Sequence, residues 1–80
     1  MLRLGYIDLD CVVENNETID DVIDRLENDN DINVKLIIQE GPSGWPVIRI
    51  IGEEEEVANV VLTYWDDPDL LNQINDIKNM

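Results

Sequence analysis

The chain has no histidine and no phenylalanine, one cysteine, one serine, and five basic residues among eighty. Each shortage closes off a chemistry. Without imidazole there is no Ser–His–Asp or Cys–His nucleophile system, because the general base is missing. A lone thiol and no imidazole leave a structural zinc site without ligands, so neither a metal nor a cofactor is expected. Cys11 cannot form an internal disulfide, which suits a reducing cytoplasm. It falls on an inward strand position, where a thiol behaves as a small hydrophobe. No apolar run approaches the ~20 residues of a membrane span. Asp8 and Asp10 interrupt the opening "MLRLGYIDLDCVV", which reads as a strand and not as a signal peptide.

What is abundant is acid. Nineteen carboxylates face the five bases, a formal charge of −14. Such a surface repels phosphates, so direct binding to nucleic acid or anionic membrane is not expected and basic partners are favoured. Eighty residues imply one domain over 1–80.

Periodicity supplies the elements. From Leu2 to Val13 the residues alternate, with Ile7, Leu9, Cys11 and Val13 on one side. Between Thr18 and Asn28, Ile19, Val22, Ile23 and Leu26 form a helical stripe. Val34–Glu40 reads as a second strand with Val34, Leu36 and Ile38 inward, and Val47–Ile51 as a third with Ile48 and Ile50 inward. Residues 53–65 suit either a strand or a helix. Four glutamates at 53–56 favour the helix, because they would sit at the positive end of its dipole. Asp67 and Pro68 then open a third helix, with Leu70, Leu71, Ile74 and Ile77 as its stripe and Lys78 at its negative end.

The expected fold is α+β: a three-stranded mixed sheet with strand three in the centre, a split β-α-β arrangement like half a ferredoxin fold, and all helices on one face. The opposite face would then present Leu4, Tyr6, Asp8, Val12, Lys35, Ile37, Gln39, Val47, Arg49 and Ile51. This mixture of large apolar and charged side chains marks Tyr6, Ile37, Val47, Arg49 and Ile51 as an association surface, with a homo-oligomer expected there.

Other candidates are weaker or differently placed. Asp8 and Asp10 share a strand face and could converge on a cation. Asp29-x-Asp31-x-Asn33, with Glu40 further on, has calcium-loop spacing, but Val34 stands where the loop needs glycine. Asp20, Asp21, Asp24, Glu27, Asp29 and Asp31 lie along helix one and its exit, a stripe able to imitate phosphates against lysine and arginine clusters. In "EGPSGWPVIRII", Gly41 and Gly44 can adopt positive φ, and Pro42 and Pro46 stiffen the chain around Trp45. Trp45 either lids the edge of the core or offers an aromatic anchor to a partner.

The segment "GPSGWPVIRIIGEEEEVANVVLTYW", residues 41–65, resembles short phage and prophage proteins. Those have a Gly-Pro-Gly-rich loop, often ending Trp-Pro or Asn-Pro, followed by a strand, a glycine and a helix. Gly41, Pro42, Gly44, Trp45, Pro46 and Gly52 fit the pattern, while Ser43 and a shortened glycine run depart from it. The resemblance implies a helix over 53–65 and a phage or mobile-element origin; it implies no activity. The leading expectation is a small acidic non-enzymatic interaction module in the host cytoplasm. In its sharpest form it inhibits a basic host nucleic-acid-binding or defence protein by mimicking nucleic acid, as anti-CRISPR proteins do. The alternative is a dimeric accessory subunit or small-ligand-binding domain using the sheet face or the Trp45 loop.

Overall fold

The computed structural model describes residues 3–77. Strand β1 (Leu4–Asp10) leads to helix α1 (Ile19–Asp29), strand β2 (Ile32–Ile38) and strand β3 (Val47–Glu53). Helix α2 (Glu54–Val60) runs on directly into a π turn (Val61–Trp65). A 3-10 helix (Pro68–Gln73) and a two-residue strand β4 (Asn75–Asp76) follow. The sheet order is β2-β3-β1-β4. β3 lies antiparallel to both neighbours, so β1 and β2 run parallel on either side of it, as the split β-α-β reading expects.

Two expectations need correction. Among the described residues the sheet has four strands, and every hydrogen-bonded pair is antiparallel, so it is neither three-stranded nor mixed. The added strand comes from the segment expected to be helix three. Asp67 does cap it, its carboxylate accepting from the Asp69 N–H at 3.0 Å, and Pro68 takes the first position. The helix is nevertheless a short 3-10 segment, because Asn75 and Asp76 extend to pair with Tyr6 and Gly5 at the free edge of β1. The Ile77 N–H donates to the Leu4 carbonyl at 2.9 Å, which satisfies an edge acceptor that a helix would leave to water. Lys78 and the Leu2 start of strand one lie outside the described residues.

The core occupies one side of the sheet. Ile7, Leu9 and Cys11 from the β1 segment, Ile32 and Val34 from β2, and Ile48 and Ile50 from β3 pack on Val22 and Leu26 of α1 and on Val57, Val60 and Val61 of the second helix. Gly5 makes room on that side, since a Cβ there would lie 3.0 Å from Glu54 Cγ and 3.1 Å from Ile74 Cγ2. Trp65 closes the end of the layer, its indole N–H donating to the Asp10 carbonyl at 2.9 Å. Tyr64, which straight helical periodicity would set on the same apolar side as Val57, Val60 and Val61, is 42% exposed. The π turn is the reason: one extra residue in the turn rotates the helix face just before Asp66 ends it in the left-handed region (φ 53°).

Candidate functional site

With both helices on one side, the other face of the sheet carries the partners of the core rows. Leu4 pairs Glu53, Tyr6 pairs Ile51, Asp8 pairs Arg49 and Asp10 pairs Val47. On the far side of β3, Asn33 and Lys35 continue the Ile51 and Arg49 rows. Tyr6, Val47, Arg49 and Ile51 are half-buried by their neighbours, whereas Leu4, Ile37 and Ile38 are exposed. The open face expected from strand alternation is therefore present among the described residues, with one change. Ile38 belongs to it and not to the core, because a register shift between Leu36 and Ile38 sets Ile38 opposite Val47. A bulge inserts one residue and turns the following side chains to the other face; nothing in "VKLIIQE" announces it.

At the centre of this face Arg49 grips Asp8 with two parallel bonds, Nε to Oδ1 at 2.8 Å and Nη2 to Oδ2 at 3.0 Å. Its guanidinium also lies over the Tyr6 ring, 4.6 Å from the centroid. The bidentate bond holds the Asp8 carboxyl below its usual range and raises the Arg49 guanidinium. Asp8 and Asp10 therefore do not converge on a cation: Asp8 is committed to Arg49. The spacing Asp8, Arg49 in two separate strands carries no signal in the sequence; only the register brings them together.

The acidic stripe divides in two. Asp21 belongs to a reciprocal cap at the start of α1: its N–H donates to Thr18 Oγ1 at 3.2 Å and its carboxylate accepts from the Thr18 N–H at 3.0 Å. Glu27 reaches the sheet, where its Oε2 accepts from the Val34 N–H at 2.9 Å and occupies an outward-facing donor of edge strand β2. Asp20, Asp24, Asp29 and Asp31 are exposed, with no ion pair or hydrogen bond to their side chains among the described residues. The nearby Arg25 is taken by Glu17 at 2.6 Å. Asn33 stands inside β2, so the segment with calcium-loop spacing is a helix end followed by a strand. No group of three metal-ligating side chains gathers among the described residues.

The loop before β3 is held by its own backbone. The Gly41 N–H donates to the Trp45 carbonyl at 2.8 Å, and the Gly44 N–H to the Gly41 carbonyl at 2.9 Å. Gly44 uses the positive φ (89°) that only glycine adopts freely. Trp45 is 40% exposed and is not a lid on the core; Trp65 fills that role. A cleft of about 330 Å³ opens between α1 and the π turn, lined by Cys11, Val12, Arg25, Leu26, Tyr64 and Trp65 among others. The thiol on its floor is a poor nucleophile, because burial, and then the Glu17 carboxylate, push its pKa up. No helix among the described residues is long and apolar enough to cross a membrane. No family model, curated protein or solved structure matches the chain.

Proposed function

We propose that the protein is a non-enzymatic interaction module whose helical side engages a basic partner. One observation carries this reading: Asp20, Asp24, Asp29 and Asp31 project from α1 and its exit without a cation among the described residues, while the chain as a whole holds −14. Asp20 and Asp24, one helical turn apart, sit about 5–6 Å from each other, and Asp29 and Asp31 add charge at the end of the helix and its exit. Unpaired carboxylates at that spacing repel one another, and a row of lysines or arginines relieves the repulsion. A protein that normally grips nucleic acid offers such a row. The sharpest form of the reading is therefore an inhibitor that occupies a nucleic-acid channel, cytoplasmic and encoded by a phage or mobile element, in keeping with the resemblance of residues 41–65.

The test is capture from a bacterial lysate on immobilised wild type and on the quadruple variant Asp20→Lys, Asp24→Lys, Asp29→Lys, Asp31→Lys. A basic protein should be retained by wild type in about 0.05 M NaCl, released by about 0.3 M as charges are screened, and absent from the variant. Retention by both proteins, or retention that survives salt, contradicts the reading.

A further inference from the structure

We infer that the open sheet face docks a second copy of this chain. This goes beyond the acidic-face reading and uses a different surface. The case rests on where the charge is. Asp8, Asp10 and Glu53 share the face with Lys35 and Arg49, so it stands within one charge of neutral on a molecule of −14. Two copies meeting through their helical sides would press unpaired carboxylates together. Meeting through this face, they set both signs against both signs, which is what a self-complementary two-fold contact needs.

The charge at its centre is also prepared for burial. Arg49 and Asp8 already satisfy each other bidentately, and Tyr6 lies against the guanidinium. A pair with its hydrogen bonds made loses far less on desolvation than a lone charge does. Around it, Leu4, Ile38, Val47 and Ile51 offer apolar contact. A basic partner would gain little on a near-neutral patch, and an acidic one is repelled by the rest of the molecule. The face is small. Seven-residue strands span about 23 Å, and three to four strands about 15–19 Å, a footprint of about 350–440 Å², roughly half the ~800 Å² per partner of a stable complex. The dimer is therefore weak and concentration-dependent.

Sedimentation velocity on the purified chain from about 5 μM to 500 μM tests this. Wild type should pass from monomer to dimer within that range. Raising NaCl from about 0.15 M to 0.5 M should strengthen association severalfold, because it screens the repulsion between two acidic chains. Lys35→Glu, at an exposed position, should weaken association at least tenfold with an unchanged circular dichroism spectrum, and Ile51→Lys should do the same. Asp24→Lys, on the other side of the molecule, should leave the dimer intact or tighten it. A monomer throughout the range overturns the inference. So does a dimer unaffected by Lys35→Glu, one dispersed by salt, or one lost on Trp45→Ala. Because Lys35→Glu spares the helical carboxylates, it should not alter capture of a basic protein, so the two readings fail separately.

Discussion

Asp8 and Arg49 show how much of a residue's role depends on a partner far away in the chain. In the sequence Asp8 is one carboxylate among nineteen, yet the β1–β3 register sets it opposite Arg49, and a bidentate pair results. The same register puts Tyr6 under the guanidinium. Because Arg49 holds the folded-state pKa of Asp8 below its unfolded value, the pair's stabilisation is complete above the unfolded pKa and is lost as pH falls through the folded one. The expected outcome is that Asp8→Asn is less stable than wild type at pH 7, and that the gap closes below about pH 4. Urea unfolding at a series of pH values reads this directly. The other carboxylates are common to both proteins and largely cancel, so a gap that stays constant down to pH 2 contradicts the pairing. Trp45 and Trp65 make the complementary point. The turn residues around Trp45 draw the eye to it, yet Trp65 is the indole that bonds the Asp10 carbonyl and closes the core.

Elements were legible where periodicity and end chemistry agreed. Alternation in β1 separates Ile7 and Leu9 from Tyr6 and Asp8, and the structure sorts them the same way. The helix over 54–65 forms where the glutamates at 53–56 favour it, with three of them in the first turn of α2. The boundaries of β2 lie earlier than "VKLIIQE" suggests: Ile32 and Asn33 join the strand, while Gln39 and Glu40 leave it. What stayed hidden depends on pairing. β4 is Asn75–Asp76, two residues with little preference for a strand, extended because the edge of β1 is there to receive them. The bulge at Leu36–Ile38 and the π turn at Val61–Trp65 are likewise single-residue insertions with no residue type to mark them.

The acidic stripe also resolves at this scale, into helix-building and free members. Thr18→Ala should cost about 1 kcal/mol of stability through loss of the cap, and Asp21→Ala should be destabilising too, with the double variant less than additive because the two side chains share one box. Asp20→Ala, which removes a first-turn charge but leaves the box intact, should cost less than Asp21→Ala. Denaturation midpoints check all three; an Asp21→Ala variant as stable as wild type would show that the box contributes nothing.

On the scale of the whole molecule, charge and apolar surface are separated. α1 and its exit carry carboxylates that no cation among the described residues meets. The sheet's far face is near-neutral and holds Leu4, Ile38, Val47 and Ile51 in or near solvent. Both proposals follow from one arrangement: α1 and α2 lie on the same side, so one face of the sheet is left without a covering layer among the described residues. Exposure of that face in the lone chain can be measured on side-chain methyls by NMR, with a soluble paramagnetic probe added to protein diluted to the monomer. Ile51 and Ile38 methyl signals should broaden strongly, while Ile48 and Ile50, fully buried on the opposite side, should be spared. Equal protection of Ile51 and Ile50 in the monomer would contradict the account.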